Sequence, residues 1–159
     1  LLTTASGGEV WGLAVDPENP NFAPSLANET LQRQVAHEVH HCWRWAGPGY
    51  GRTLGEALVS EGLAGRFASI LYDSPPEPWE CAVTPAVAAA HFPDAATLAA
   101  PVYDHAAWFF GAGGTYPRWL GYTLGYLVVG AWLERMDEID AERFANVPAA
   151  EVLAAWRRQ

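Results

Sequence analysis

The chain has 159 residues, of which half are apolar and 13% are aromatic, and its formal net charge is −9. This length suffices for one domain with a sizeable core, and the apolar content excludes an intrinsically disordered chain. The negative charge argues against nucleic acid and against anionic membrane surfaces as partners, because both bind basic protein faces.

From the first residues we expect no signal peptide. The chain starts at Leu1 without a methionine and without a basic-then-apolar leader, so we expect one domain over 1–159, trimmed at its N-terminus, in the cytoplasm. The longest charge-free apolar run covers fifteen residues at 119–133, fewer than the ~20 that a membrane-spanning helix needs. Because glycines and tyrosines interrupt this run, we interpret it as a buried core helix.

The N-terminal third predicts a strand followed by a helix. β-forming residues at Val10–Val15 lie between glycine and proline turn signals, which predicts a short strand. A polar loop follows. Asn28 or Thr30 can cap a helix that runs to about Ala46, and the Gly-Pro-Gly sequence at 47–49 ends it.

The remaining segments predict further helices. A second helix runs over 52–71, and the proline- and alanine-rich stretch 76–101 predicts a loop with short helical pieces. A short helix covers 103–110, and a long helix runs over 117–136 because proline is favoured at a first helical position. A final amphipathic helix begins at 147–148. Its apolar face carries Val152, Leu153 and Trp156. The fold class is therefore α+β and mostly helical.

Three of the five histidines stand within five consecutive positions, in the sequence VAHEVHH at 35–41. On a helix His37 and His41 project from one face one turn apart, where two imidazoles can bind one tetrahedral Zn²⁺. Glu38 lies about 100° around the helix, where it can act on a water as general base without being a ligand. Chance gives this HExxH pattern in about one chain in a hundred of this composition. The pattern therefore predicts a catalytic zinc site.

A zinc site with a catalytic water needs a third protein ligand, and the next predicted helix has two glutamates. Glu61 lies on a face of small apolar residues, where a carboxylate is costly unless it is paired or bound to a metal. Its alternative partners are Arg44 and Arg52. Glu56 lies on the opposite side, in the first turn, where the helix dipole favours an acid. We therefore predict that Glu61 joins the two histidines as ligands of one zinc ion per chain.

Four stretches carry a resemblance to known proteins: AHEVHHCWRW at 36–45, TLGEALVSEGLAGRFA at 53–68, PEPW at 76–79 and YPRWLGYTLGYLVVGAWL at 116–133. The chain resembles the gluzincin metallopeptidases and, more closely, the bacterial family of predicted Zn-dependent proteases, a domain of unknown function bearing HExxH. The resemblance implies a zincin-like fold with a short N-terminal β edge strand, an active-site helix, a glutamate helix and a C-terminal helical bundle. It also implies zinc-dependent hydrolysis of peptide or protein substrates.

The resemblance extends to particular positions. The SEGLA element resembles the third-ligand helix of gluzincins, and the nineteen residues between His41 and Glu61 are close to the usual spacing. The strand at 9–15 would match the edge strand above the cleft, which can hold an extended peptide. Many gluzincins have an acid four residues after the glutamate ligand, as support for a histidine. This position is Gly65 here, so the support must come from elsewhere or be weaker.

The implied reaction needs a donor for the oxyanion, opposite Glu38. Tyr122 is the first candidate and Tyr126 the second, since both lie on the long helix predicted over 117–136. Gly121 and Gly125 would let that helix approach a neighbour closely. Two core tyrosines with satisfied hydroxyls are the alternative interpretation.

The other histidines and the cysteines receive weaker assignments. His105 is a further candidate donor, but a core or rim position beside aromatic residues is the favoured interpretation. His40 and His91 are given no role. Cys42 and Cys81 can in principle pair, but two buried free thiols are favoured over a disulfide.

Two functional hypotheses follow. The first is a zinc-dependent peptidase with Glu38 as general base. The second is a non-catalytic, zinc-stabilised module that binds a peptide or another partner. Retention of Glu38 argues against this module, whereas the missing acid at Gly65 favours it. A metal-free helical domain is the third and weakest hypothesis. Substrate specificity and oligomeric state are not predicted.

Overall fold

The computed structural model describes residues 2–6, 10–138 and 140–156. Strands β1 (Leu2–Ser6) and β2 (Val10–Ala14) form an antiparallel hairpin, and β1 lies alongside the first long helix. The strand β2 covers most of the segment predicted over 10–15, whereas β1 was not predicted. Glu9, where the edge strand was expected to begin, lies outside the described residues.

Most of the described chain is helical. In chain order the helices are α1 (Phe22–Ala27), α2 (Thr30–Trp45), α3 (Leu54–Leu71), α4 (Pro85–Ala90), α5 (Ala95–Leu98), α6 (His105–Phe110), α7 (Leu120–Leu133), α8 (Ala141–Asn146) and α9 (Ala149–Trp156). None of the helices in the described ranges has the length and apolar character needed to cross a membrane.

Helix α3 lies at the centre of the fold, between α2 and α7. Against α7 the two backbones approach so closely that a Cβ on Gly62 would lie within 3.0 Å of the Gly125 carbonyl oxygen. A Cβ on Gly125 would in turn lie within 3.0 Å of the carbonyl oxygen of Leu58. Glycine at 62 and 125 therefore allows this packing, which confirms the close approach predicted for Gly125.

Two groups of apolar side chains from α3 and α7 form the core. One group, shared with α8 and α9, contains Val59, Leu63, Val128, Val129, Trp132, Phe144 and Val152. The other, shared with α6, contains Leu54, Leu58, Trp108, Phe109, Leu120 and Leu124. Burying each large side chain contributes about 1.5–3 kcal/mol. Most side chains of α7 are buried, which confirms the interpretation of 119–133 as a core helix.

Several predicted boundaries were wrong. Helix α1 replaces part of the expected polar loop, and α8 precedes the expected final helix; both have only six residues, too few for a clear apolar period. Helix α7 starts at Leu120 rather than Pro117, because Trp119 has a left-handed φ of 65°. Helix α2 follows Glu29, whose φ is 62°, so neither predicted residue is its N-cap.

The cysteines are free, as predicted. Their expected burial was wrong: Cys42 is half-buried and Cys81 is exposed. The reason for Cys81 is its place in the loop between α3 and α4, where its thiol contacts the backbone carbonyl of Glu77 at 3.4 Å.

Candidate metal centre

Helices α2 and α3 bring two histidines and one glutamate together. His37 and His41 lie one turn apart on α2, with their rings edge to face and the ring centroids 4.7 Å apart. Glu61 faces them from α3, and each of the three side chains is at most 11% exposed. One ligand atom from each residue lies within 4.8 Å of the others. These three residues can therefore hold a metal ion.

The two histidine nitrogens and the two oxygens of the Glu61 carboxylate lie at separations close to those around a tetrahedral ion. His37 Nε2 lies 3.1 Å from His41 Nε2 and 3.1 Å from Glu61 Oε2. His41 Nε2 lies 3.6 Å from Glu61 Oε1. Bonds of ~2.0–2.1 Å at tetrahedral angles put neighbouring donors about 3.3–3.4 Å apart. Two imidazoles and one carboxylate are also the donor set of zinc sites that keep one position open, so the residues present fit zinc.

Burial and mutual charge decide the ionisation of this group. Burial alone would raise the pKa of Glu61, but the charges and hydrogen bonds of the two histidines hold it well below its usual value. Burial lowers the pKa of His37, but the hydrogen bond and charge of Glu61 outweigh burial and leave that pKa raised. Glu61 is therefore an ionised carboxylate, which is the form that binds a metal.

Tyr50 supports Glu61 and was missed in the sequence. Its hydroxyl donates a hydrogen bond of 2.8 Å to Glu61 Oε1, and its ring centroid lies 5.6 Å from that of His41. Burial and the charge of Glu61 raise the pKa of this hydroxyl. Tyr50 lies in the loop between the two ligand helices, where no helical spacing points to it. The Gly-Pro-Gly sequence before it signals only a tight connection.

Arg44, one of the alternative partners of Glu61, is bound elsewhere. Its guanidinium donates to Ser60 Oγ at 3.2 Å and to the carbonyl oxygens of Ala145 and Val147 at 2.9 and 3.0 Å. It therefore joins α2 to α3 and to the end of α8, and is not the partner of Glu61.

Glu56 lies in the first turn of α3, as the sequence indicated, and it also caps the helix. Its carboxylate accepts backbone hydrogen bonds from Arg52 at 2.8 Å and Thr53 at 3.0 Å, and these bonds lower its pKa. Thr53 Oγ1 accepts from the Glu56 N–H in return, which completes a capping box at the start of α3. Glu56 is thereby separated from the metal ligands.

Glu38 and Tyr122 interact electrostatically with the ligand residues. Glu38 is half-buried on α2, and its charge contributes to the raised pKa of His37 after burial and Glu61. Burial raises the pKa of Tyr122, and the charges of Glu61 and Glu38 raise it further. The ring of Tyr122 contacts the ring of Phe109 edge to face, at 5.0 Å between centroids.

Tyr126 occupies a different position. Its hydroxyl donates to Ser69 Oγ at 3.2 Å, and the Arg66 guanidinium covers its ring at 3.7 Å from the centroid. Ser69 lies two turns beyond Glu61 on α3, so this hydroxyl is not brought to the three ligands. Tyr126 therefore matches the alternative of a core tyrosine with a satisfied hydroxyl.

His105, at the start of α6, is half-buried and lies near enough to Glu61 to feel its charge. Its ring stacks on Phe109 at 4.3 Å between centroids, and its Nδ1 lies 3.5 Å from the hydroxyl of Tyr103. Burial lowers the pKa of His105, although the charge of Glu61 opposes that shift. This is the rim position that the sequence favoured.

The remaining two histidines lie apart from the ligand atoms. His40 is fully buried and packs against the rings of Phe67 and Phe144, and burial lowers its pKa to about 3. It is therefore a neutral core residue. His91 is exposed, and its Nδ1–H donates to the Val87 carbonyl at 2.9 Å, one turn earlier in α4.

A second carboxylate, Glu80, was also missed in the sequence. It is 4% exposed, and its Oε2 accepts a hydrogen bond of 2.7 Å from the backbone N–H of Glu77. Burial raises its pKa to about 7, while that backbone hydrogen bond and the charge of His37 oppose the rise. The PEPW stretch ends one residue before it, but nothing in that pattern indicates a buried acid.

Comparison with known proteins gives a family match. The family described as "Predicted Zn-dependent protease (DUF2268)" matches residues 21–154. No curated protein and no solved structure matches the chain. The matched range includes α2, α3 and α7, and hence every residue of the candidate metal centre.

Proposed function

The chain belongs to the family of predicted Zn-dependent proteases, and from this premise we propose that it is a zinc-dependent peptidase with one metal ion bound by His37, His41 and Glu61. The observation that carries the proposal is the buried cluster of two imidazole nitrogens 3.1 Å apart, with a carboxylate oxygen of Glu61 3.1–3.6 Å from each of them. These separations are close to those between neighbouring donors of a tetrahedral ion. Burial of two imidazoles and a carboxylate costs free energy, which metal binding offsets.

Glu38 is the proposed general base. Zinc bound at this centre would supply a Lewis acid that polarises a substrate carbonyl and makes water more acidic. Glu38 accepts a proton from the attacking water and returns it to the leaving amine. Its position one residue after a ligand, about 100° around α2, supports a base beside the metal rather than another ligand.

Tyr122 is the proposed donor to the oxyanion. Besides burial, the charges of Glu61 and Glu38 contribute to the raised pKa of Tyr122, which supports a position of its hydroxyl near the metal ligand and the proposed base. A neutral hydroxyl is required for donation, and the raised pKa of Tyr122 keeps its proton in place. The hydrogen bond from Tyr126 to Ser69 argues for Tyr122 over Tyr126.

The substrate is proposed to be an extended peptide held in a gluzincin-like cleft. Among the described residues β1 and β2 pair only with each other, so each strand has an outer edge without a strand partner there, and β1 lies alongside α2. An extended peptide can hydrogen-bond to such an edge through its backbone, which provides affinity without a demand on its side chains. The negative net charge of −9 favours uncharged or basic peptides over acidic ones.

The decisive experiment compares the parent protein with Glu38→Gln in a digest of a broad peptide library read by mass spectrometry. Glutamine preserves size but cannot accept the proton, so we expect hydrolysis to fall by about 10²–10⁴. Zinc content by elemental analysis should stay at one ion per chain, because the ligands are unchanged. Glu134→Gln, at an exposed position just after α7, is the matched control and should cleave like the parent.

Two results would overturn this proposal. If Glu38→Gln cleaves at the parent rate, Glu38 is not the base. If the parent holds zinc and binds library peptides but cleaves none of them, the zinc-stabilised binding module replaces the peptidase. Chelator-treated parent should lose all cleavage, and this arm separates zinc-dependent hydrolysis from a contaminating protease.

A further inference from the structure

The loop between α3 and α4 is fixed to α2, which carries the two histidine ligands, and to α7. Glu77 in this loop makes an ion pair with Arg33 of α2. Thr123 of α7, which is 1% exposed, donates its hydroxyl to the carbonyl oxygen of Trp79 at 3.2 Å. The loop is thus anchored on both α2 and α7, and Glu80, which carries its buried carboxylate, directly follows the second anchor.

That carboxylate is seated on α3 at Gly65, one turn after Glu61. A Cβ on Gly65 would lie within 3.0 Å of Glu80 Oε1, so the carboxylate occupies the space in which a side chain at 65 would begin. Any larger residue at 65 would displace it. Gly65 and Glu80 are therefore complementary, and the loop supplies an acid where α3 has none.

The imidazole of His37 has a proton that needs an acceptor. Its Nε2 is the atom that faces Glu61 and His41, so in the neutral, metal-binding form the proton lies on Nδ1. Histidine ligands usually give this N–H to a carboxylate, a carbonyl or water, which fixes the orientation of the ring. Glu77 of the same loop is paired with Arg33, one turn before His37 on α2. Glu80 is seated one turn after Glu61 on α3, so its carboxylate lies at the His37 end of the site. In agreement with this position, the charge of Glu80 helps to raise the pKa of His37, after the contributions of Glu61 and Glu38.

His41 provides the contrast. Its Nδ1 is buried and has no hydrogen-bond partner within the part of the chain that the structure describes. The two histidines of the site are therefore supported unequally: a buried carboxylate lies near the first, and the second packs beside the ring of Tyr50.

We propose that Glu80 is a positioning residue for His37: seated over Gly65, its carboxylate holds the Nδ1–H tautomer and the ring orientation that direct Nε2 to the metal. This inference rests on the zinc site proposed above. It gives the α3–α4 loop a role in metal binding, and it identifies which residue compensates for the missing acid at position 65.

The first test is zinc affinity, measured by competition with a chromophoric chelator. Loss of such a supporting group weakens metal binding by about 10–100-fold, which is the expected effect of Glu80→Ala. Glu80→Gln keeps an acceptor oxygen but loses the charge, so its loss should be smaller. Asp73→Asn is the matched control from the same loop. It should stay within about twofold of the parent, because Asp73 is exposed and asparagine also tolerates its left-handed backbone.

The second test uses the complementarity of Gly65 and Glu80. The methyl group of Gly65→Ala should displace the carboxylate and weaken zinc binding as much as Glu80→Ala does. The double variant should be no weaker than either single variant, whereas independent effects would add. Gly65→Asp combined with Glu80→Ala returns an acid to the same place and should recover at least part of the affinity.

A nitrogen-15 NMR spectrum of the zinc-loaded imidazoles distinguishes positioning from general destabilisation. The Nδ1 resonance of His37 should shift in Glu80→Ala, while that of His41 should not. Zinc affinity unchanged in both Glu80 variants, or an equal loss in Asp73→Asn, would overturn the inference. The peptidase proposal still stands after either of these results if the parent binds zinc and its cleavage of peptides depends on Glu38. A parent that binds no zinc would overturn both proposals.

Discussion

The two sides of α3 bury opposite kinds of surface. Toward α7, Gly62 and Gly125 bring the backbones into contact, and the surrounding side chains are apolar. Toward α2, Glu61 meets two imidazoles in a buried polar group. The first side stabilises the fold through burial of apolar surface, whereas the second costs free energy unless its charges are compensated.

This difference implies that folding and metal binding can be changed separately. Packing against α7 needs small residues and close backbones, but no charge. The α2 side needs charge at defined positions and can hold it because the α7 side supplies stability. A substitution on one side should therefore alter one property and leave the other nearly unchanged, which the next two predictions test.

Among the variants that test this separation, the largest effect is expected for the two tyrosines of α7. Tyr122→Phe removes the proposed oxyanion donor, so kcat should fall by about 10²–10³ with zinc content and melting temperature near those of the parent. Tyr126→Phe removes a hydrogen bond to Ser69 and should lower the free energy of unfolding by about 1 kcal/mol without changing kcat. Peptidase assays and urea titrations on both variants provide the measurement. Equal kcat losses would contradict the separation.

Packing on the α7 side gives the next effect. A methyl group from Gly125→Ala would press on the backbone of α3, so the free energy of unfolding should fall by about 1–3 kcal/mol. Gly130→Ala is the control on the same helix, because its Cβ would meet only the flexible end of Arg66. This variant should stay within about 1 kcal/mol of the parent, by urea denaturation. Zinc affinity of the folded protein should be unaffected in both; a tenfold loss in Gly125→Ala alone would show that the two sides are coupled.

Sequence reasoning was strongest where a pattern is long or strictly spaced. Helices α2 and α3 run for 16 and 18 residues, and their predicted extents are close to those observed. The spacing of His37 and His41 on one helix, and the apolar surroundings of Glu61, were enough to identify three residues whose donor atoms the structure brings together.

The parts that were missed depend on contacts between distant segments. Tyr50 and Glu80 both lie in loops, and their directions are set by the helices around them rather than by local periodicity. The carboxylate of Glu80 reaches α3 only because Gly65 leaves space and because the loop is anchored on α2 and α7. Likewise, the start of α7 depends on the left-handed backbone of Trp119, which an aromatic side chain does not predict.

A smaller effect separates the two glutamates of α3. Glu61→Gln should weaken zinc binding by about an order of magnitude or more, because an amide is a poorer ligand than a carboxylate. Glu56→Gln should leave zinc binding nearly unchanged, since this residue caps the helix. Chelator competition on both variants is the measurement. If Glu56→Gln were the variant that lost zinc, the proposed ligand set would be wrong.

The smallest effect comes from Glu56 itself and appears in the pH dependence of stability. Glutamine can replace glutamate in a capping box, so Glu56→Gln keeps a hydrogen bond and loses the charge near the helix N-terminus, a change of about 0.3–1 kcal/mol at neutral pH. Backbone hydrogen bonds from Arg52 and Thr53 hold the pKa of Glu56 below the usual 4.5. The unfolded chain therefore binds this proton first as the pH falls. The stabilisation is complete above pH 4.5 and is lost as the pH falls through the lower, folded-state pKa.

Urea titrations of the metal-free parent and Glu56→Gln at a series of pH values should show this directly. The two proteins should differ most at neutral pH and converge in acid, because the parent carboxyl is then neutral as well. Glu18→Gln, at an exposed position before α1, is the control and should follow the parent throughout. A difference that persists unchanged in acid would mean that the hydrogen-bond geometry of the cap, rather than its charge, stabilises the start of α3.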